Sequence, residues 1–472
     1  MTIDTDVLIV GAGPVGLFLA NECARRGLRW RLVEARSTQS EHSKALAVFP
    51  RTLEVFDMSG LAQPFLDAAN RVTWVAVASH DRELARLRFA PENTPYSFVA
   101  MVPQDVTERL LAQALVRRGG VIEYDTRCVA AEQHDDHVSV TVERNGQPLT
   151  LTASYVVGCD GAHSTIRHQL DLPFEGGAYD ASYMLADIET NDALPGDEMQ
   201  LCPSALGPVA IFPMSATRRR VVAMIETTPT EDAPTLETVR QVLQRAPAAL
   251  DARAVRWSTY FRIHHRQVEQ MRVGRMFIAG DAAHIHSPFG GQGMNTGLQD
   301  VWNLVWKLDL AVRGHGNEHL LDSYSTERRP VIKQVIDLTH FMTRAMGAPS
   351  KLAQAIRDMA IPVVWHLPPF QHFFVQRLSE LGITYSGSPI VDGGGQRYFD
   401  DSLRGGHGIG SRFLALAGDD ALQAAKQIAG SFPDLVDVRS VKQPGITLVR
   451  PDGYIATTSL DSIRDVLARQ TT

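Results

Sequence analysis

Four consecutive apolar residues, Val7-Leu8-Ile9-Val10, run directly into the glycine-rich hexapeptide GAGPVG at 11–16, and no other feature narrows the fold so far. A strand that is apolar at every position is buried on both faces, as strands are in a parallel sheet flanked by helices. The three glycines divide the work of the turn. Gly11 lets the chain reverse tightly, Gly13 lets a pyrophosphate approach the backbone, and Gly16 lets the next helix lie close against the strand. That helix, Pro14–Arg26, meets a C-cap in Gly27. The following strand, Arg29–Val33, delivers Glu34, 18 residues beyond Gly16, where a carboxylate meets a ribose hydroxyl. A GxGxxG match alone is weak. Between a strand and a helix, with an acid at this distance, it predicts a dinucleotide-binding, doubly wound α/β domain.

A second informative stretch lies more than 260 residues later, AGDAAHIHSPFGGQGMNTGLQD at 279–300. The apolar strand Met276–Ala279 leads to Gly280-Asp281, a glycine-rich loop follows, and a helix opens near Met294. Its apolar residues at 294, 298, 301, 305, 308 and 312 form one helical face. A carboxylate, bare backbone N–H groups and a helix N-terminus then face one point. That combination suits a large cofactor with a polyol, a phosphate and an electron-accepting ring.

Other segments fill in the organisation. Val102-Pro103-Gln104 leads into a helix at 106–117, and Tyr155-Val156-Val157 runs into GCDGAHSTIR at 158–167. Between them lies a β-rich stretch with a turn at Asn145-Gly146. Residues 72–99 and 178–268 alternate as half-buried strands do, with one helix at 236–243. The division expected is a discontinuous cofactor domain (1–71, 100–177 and 269–345), an inserted sheet domain for substrate (72–99 and 178–268), a helical linker (346–387) and a small third α/β domain (388–472), with a hairpin turn at Pro451-Asp452-Gly453.

Several functions are disfavoured. The 46 basic and 53 acidic residues give a net charge of −7 without a basic arm, which argues against nucleic acid. Arg218-Arg219-Arg220 reads as a solvated strand end. The apolar run from Met359 to Phe374 carries Pro362, Pro368, Pro369, His366 and His372, so a packed helix or linker is expected rather than a membrane span. No basic segment and apolar run precede the first strand, so no secretory signal is expected. Cys23, Cys128, Cys159 and Cys202 have neither metal spacing nor a disulfide framework, and His284 and His286 lack further ligands. A reduced, cytoplasmic, bacterial protein without a metal is the expectation.

Together the three motifs resemble those of the class A FAD-dependent aromatic hydroxylases, the para-hydroxybenzoate hydroxylase fold. GAGPVG with Glu34 looks like the first family motif, GCDGAHSTIR like the Asp-Gly motif, and AGDAAHIHSP followed by FGGQGMNTGLQD like the Gly-Asp motif. The tail is similar to the thioredoxin-like appendage of the phenol and polyketide hydroxylase branch, but it has no cysteine and so no dithiol chemistry. The resemblance implies a glutathione-reductase-like FAD domain with an inserted substrate sheet. It places FAD contacts at Gly11, Gly13, Pro14, Gly16, Glu34, Ala35 and Arg36, and at Lys44, Gln104 and Asp160. The third motif adds Gly280, Asp281, Pro288, Gly291, Gly293, Met294 and Asn295. Asp281 would accept from the ribityl chain. Pro288 and Asn295 are the candidates beside the flavin ring, the helix N-terminus with Asn295 facing its N1–C2=O edge. The family usually has Arg-Ala where this chain has Lys44-Ala45, and lysine lacks bidentate phosphate geometry. His163 and Arg167 stand between contacting NAD(P)H or the pyrophosphate and capping their own loop.

The chemistry so implied is reduction of FAD by NAD(P)H, addition of dioxygen at C4a, and delivery of one oxygen from the hydroperoxide to a phenolic or polycyclic aromatic ring, with a polyketide among the candidates. Phe212, Pro213 and Met224 are the candidate substrate contacts. No general base is singled out, since Tyr183, Tyr260, Arg262 and His264 read as structural. Baeyer–Villiger oxygenation, a flavin reductase and a non-catalytic FAD-binding protein are the rival readings. A homodimer is left open.

Overall fold

The computed structural model describes residues 3–40, 43–79, 82–190, 195–225, 231–246, 250–287, 290–346 and 351–471. The strand Thr5–Val10 lies inside an eight-stranded sheet, with Val7, Leu8 and Ile9 fully buried. It is parallel to Trp30–Val33 on one side and to Gln147–Gly158 on the other. Met276–Ile278 adds in parallel beyond Gln147–Gly158. The register decides the site: Val10 pairs with Gly158, and Gly158 pairs with Ile278. The three strands that precede the three motifs therefore end in one row. Gly11, Cys159-Asp160 and Ala279-Gly280 emerge side by side at the carboxyl edge, where open α/β sheets bind ligands.

Local signals hold at each turn. The helix Pro14–Arg26 ends on Gly27, whose left-handed conformation (φ 71°) closes it. Asn145 and Gly146 both have positive φ (52° and 71°), the requirement of a type I′ hairpin, and join Val138–Arg144 to Gln147–Gly158. The helix expected from 106 begins at Gln104, and that expected from Met294 begins at Gly293 and runs to Val312.

A second eight-stranded sheet runs in the order His284–Ile285, Ala252–Val268, Phe174–Thr190, Arg218–Ile225, Val209–Pro213, Glu198–Cys202, Trp74–Ser79 and Arg82–Arg88. Both inserted segments thus contribute to one sheet, and the Gly-Asp segment itself supplies an edge strand through His284–Ile285. One face packs on the helix Leu236–Leu243 through Met184, Ile188, Val209, Ile211 and Val221. The other faces Leu46, Ala47 and Phe49 and the helices Glu318–Met346, Lys351–Trp365 and Pro368–Ser379 through Tyr183, Ala210, Phe212, Met224 and Ile263. No helix among the described residues is long and apolar enough to cross a membrane. Phe413–Ala417, Val436–Ser440, Ile446–Val449 and Ile455–Thr457 form a four-stranded sheet of their own.

Candidate cofactor site

The glycines of the first motif are held to their identity by different things. A side chain at Gly16 would put its Cβ 1.9 Å from the Gly11 carbonyl oxygen, and one at Gly11 would lie 2.5 Å from that of Cys159. These two exist so that the fingerprint turn can lie against the second motif. Gly13 has extended backbone (φ −73°), and a Cβ there would meet nothing within 4 Å. Nothing in the protein needs a glycine at Gly13, whereas a phosphate group resting on that backbone would.

Glu34 is buried and accepts hydrogen bonds from the Ala12 amide (2.7 Å), the Arg36 amide (2.9 Å) and the Arg36 guanidinium (3.0 Å). Burial pushes its carboxyl up, but the bonds from Arg36 and the two amides outweigh that and hold it below the ordinary range. The acid is therefore ionised at neutral pH and fit to accept from ribose hydroxyls. Arg36 is engaged by Glu34, and Ala35 is exposed at the rim.

The segment 43–45 is gripped from two sides. The Gln104 side chain accepts from the Ala45 amide (3.1 Å) and donates to Glu108 (2.9 Å). From the second sheet, Arg220 donates to the Lys44 and Ala45 carbonyls (3.1 Å each) while gripping Asp187 with two bonds of 2.7 and 2.8 Å. The solvated strand end expected at 218–220 is corrected here: Arg219 and Arg220 are 2% and 1% exposed. Asp187 stands directly across the ladder from Arg220, a pairing that a tripeptide read alone does not reveal.

In the second motif one oxygen of Asp160 caps the helix Thr165–Gln169 through the amides of Thr165 (2.7 Å) and Ile166 (3.3 Å). Its other oxygen is buried with no protein partner. Burial raises this carboxyl, and the capping bonds offset it only in part. Arg167 takes the structural option: it donates to the carbonyls of Ala282 (3.1 Å) and Ala162 (2.9 Å) and stacks on Phe174. It ties the second motif to the third. His163 is exposed.

In the third motif Asp281 is exposed although Gly280, Ala282, Ala283 and His284 around it are buried. Its carboxyl is nonetheless raised by burial, with His284 and Lys44 pulling the other way. A carboxylate that is deep in the protein yet reached by solvent lines a cleft, and Lys44 faces it. Gly280 (φ 60°) and Gly291 (φ 66°) use the left-handed region, and Met294 is 9% exposed. Gly293 opens the helix Gly293–Val312, whose N-cap residue Gln292 makes no side-chain cap, so its first N–H groups keep their donors for another acceptor. Pro288 lies outside the described residues.

Asn295 requires a correction. Its side chain is fully buried, accepting from the Phe49 amide (2.9 Å) and donating to the carbonyls of Ala47 (2.9 Å) and Gly291 (3.1 Å). It staples the helix start to the Ala47–Val48 strand, so only backbone donors remain for a ligand at this end. Two residues that periodicity does not mark are central. Asp300 accepts from the Gly280 amide (3.1 Å), His284 (2.7 Å) and Arg328 (2.7 Å). Gly297 lets the same helix cross the fingerprint helix, since a Cβ there would meet Val15 at 2.7 Å.

Of the candidate substrate contacts, Phe212 and Met224 share one cluster. Residues alternate across a strand, and Pro213 falls on the face of Val209 and Ile211, away from Phe212. Tyr260 packs on that far face too, and Tyr183, stacked on Phe261 at 5.9 Å, lies on the near one. Met214, Phe261, Met342 and Met346 are further partly buried members of the near cluster that the sequence did not single out. The last two come from the helix Glu318–Met346, which no strand pattern connects to the sheet.

The FAD binding domain family matches residues 4–339 of the 472. The chain is 34% identical to 6-methylpretetramide 4-monooxygenase of Streptomyces rimosus over 82% of its own length and 71% of that protein's. It is 33% identical to rifampicin monooxygenase of Streptomyces venezuelae over 95% and 94%. Among solved structures, anhydrotetracycline hydroxylase OxyS from Streptomyces rimosus superposes with a TM-score of 0.81 at 30% identity, covering 99% of both chains. Cofactor-fitting geometry and these likenesses agree: the chain belongs to the FAD-dependent aromatic monooxygenases, the family its three motifs resemble.

Proposed function

We propose that the protein is a cytoplasmic, NAD(P)H- and oxygen-dependent hydroxylase of a phenolic or polycyclic aromatic substrate. The observation that carries this reading is the single register row in which the three motifs end. It brings Gly11, Cys159-Asp160 and Ala279-Gly280 side by side, and in this reading the open backbone at Gly13, the Asp281 carboxylate and the uncapped helix start at Gly293 share one cleft beside the apolar cluster. When bound there, FAD would take a hydride from NAD(P)H and activate dioxygen, one atom going to the substrate ring and the other to water.

The chain's own residues have definite tasks in this scheme. The backbone at Gly13-Pro14 receives the pyrophosphate on a turn that Gly11 and Gly16 let pack closely, and ionised Glu34 accepts from the ribose, with Ala35 and Arg36 beside it. Asp281 accepts from the ribityl chain. Lys44, Gln104 and Asp160 border the same cleft, and Gly280, Gly291, Gly293 and Met294 offer backbone at the ring. The helix N-terminus stabilises negative charge on the reduced cofactor through N–H groups oriented before the reaction begins. Phe212, Met214, Met224, Phe261, Met342 and Met346 receive the aromatic ring and exclude water. Four methionines on that wall suit a large, flat substrate, because the unbranched thioether adapts to irregular shapes.

In this reading FAD is held by 1–71, 100–177 and 269–345, substrate by 72–99 and 178–268, the linker is 346–387, and 388–472 is a thioredoxin-like domain without dithiol chemistry. A homodimer belongs to the reading as well. Ile356, Met359, Val363 and Leu367, each at least half exposed along one side of Lys351–Trp365 and its end, are the surface it would cover, and light scattering after gel filtration measures it.

The test is a panel of phenols and aromatic polyketides under labelled dioxygen, reading NAD(P)H consumption and product mass. Substrate-stimulated consumption with one labelled oxygen on a ring carbon is expected. A lactone or ester product would replace the reading with Baeyer–Villiger oxygenation, and consumption without incorporation would replace it with a reductase.

A further inference from the structure

The four-stranded C-terminal sheet does not simply rest on the rest of the molecule. Its hairpin turn inserts Arg450 and Asp452, both 0% exposed, against the helices Gly293–Val312 and Glu318–Met346. Arg450 donates to the two oxygens of Glu327 (2.5 and 2.9 Å) and to Asp452 (2.6 Å). Lys307 donates to Glu327 (2.8 Å) and Asn303 (2.9 Å), and the Trp302 indole donates to the Asp452 carbonyl (2.9 Å). Two cations and two anions thus lie in the interior with their charges balanced.

From the same guanidinium a contact path leads to the cofactor loop. Arg450 sits 5.2 Å over the ring of Tyr385. The Tyr385 hydroxyl accepts from Arg328 (3.0 Å). Arg328 donates to Asp300 (2.7 Å) and to the Thr296 carbonyl (3.1 Å). Asp300 accepts from the Gly280 amide and from His284. Neighbouring residues of one helix therefore serve two ends: Glu327 accepts from Arg450 of the C-terminal hairpin, and Arg328 holds Asp300, which in turn accepts from the Gly280 amide.

Such a network is a poor way to gain stability, since apolar residues of similar volume hold an interior as well or better. What it supplies is geometry, because each buried donor and acceptor tolerates few alternative arrangements. We propose that the C-terminal domain sets the position of the Gly280–Asp281 loop, and so the affinity for FAD, with Arg450, Tyr385, Arg328 and Asp300 as positioning residues. The proposal rests on the reading of the cleft as the FAD site.

The test compares FAD titrations of stripped full-length protein with the thermal midpoint of the same apoprotein. Tyr385→Phe removes only the hydroxyl that orients Arg328, leaving the ring against Tyr454. It should lower the midpoint, since a buried guanidinium donor is left unpaired, and also weaken FAD binding by about tenfold, the worth of one hydrogen bond from a charged donor. Arg450→Met should weaken it in the same direction. Phe413→Leu, which loosens the contact with Trp306 below Arg450 but leaves every hydrogen bond of the path in place, should lower the midpoint and leave FAD affinity unchanged. Wild-type affinity in Tyr385→Phe overturns the proposal, and should Arg450→Met fail to fold, that variant alone decides. An equal loss of affinity in Phe413→Leu also overturns it, by reducing the effect to general destabilisation. A wild-type protein that binds no FAD sinks the cofactor reading itself, and this inference with it.

Discussion

Gly13 and Gly16 stand three residues apart in the same hexapeptide, yet a methyl group would do different things at each. Gly16→Ala places a Cβ 1.9 Å from a backbone oxygen and is expected to abolish folding. Gly13→Ala meets open space in an extended conformation that any residue adopts. The apoprotein should keep its thermal midpoint while FAD affinity falls more than about tenfold, and equal FAD binding by the variant would mean that no phosphate rests there. The motif pattern marks both glycines alike, and only the neighbours separate packing from binding. Glu380 is a second residue that no pattern marks. It is 3% exposed, bonds to Gln299, and leaves one oxygen unpartnered; burial pushes its carboxyl up to about 8. The folded state then holds a proton that the unfolded state releases near pH 4.5. Folded stability is lost as pH rises from about 4.5 to about 8 and levels off above that. Glu380→Gln should gain stability relative to wild type across this window, and parallel unfolding curves from pH 5 to 9 would refute the assignment.

Among elements, the helix Gly293–Val312 shows how far periodicity carries. Its apolar face and its start within one residue were legible, because a 3.6-residue repeat reports which side is buried. The role of Asn295 was not. A polar residue in a first turn next to a glycine-rich loop looks equally fit to cap, to bind or to staple, and the deciding partners, Ala47 and Phe49, are 246 to 248 residues away. Asn295→Ala would leave the Phe49 amide and two carbonyls unpaired in the interior, at a cost of about 2–4 kcal/mol. A midpoint within a degree of wild type would show that the staple carries nothing. Strand Val209–Pro213 gives the opposite case. Alternation is legible in the sequence, but not which face meets the apolar cluster of Met224 and Phe261, so Phe212 and Pro213 read alike although they point apart. Phe212→Ala should raise KM for the aromatic substrate severalfold while Pro213→Ala leaves it unchanged, as steady-state kinetics on the identified substrate would read.

For the whole molecule, the buried Arg220–Asp187 pair of the second sheet holds the 43–45 segment through the Lys44 and Ala45 carbonyls. Asp187→Asn leaves the Arg220 cation without its buried counter-charge, which costs about 3–5 kcal/mol. The denaturant midpoint should fall accordingly, and a surface-like loss below about 1 kcal/mol would show that the pair is solvated after all. The chain by itself determined the three cofactor turns, the strands that feed them and the family they belong to. Each of those rests on hydrogen bonding, backbone conformation or apolar periodicity within some twenty residues. Tertiary structure alone decided that Arg220 reaches across to Lys44, that Met342 and Met346 join the apolar cluster of Phe212 and Met224, and that the hairpin turn at Asp452 is buried. A buried charge or a pocket wall is defined by partners a hundred or more residues distant, and only the packing of the sheets brings those partners within reach.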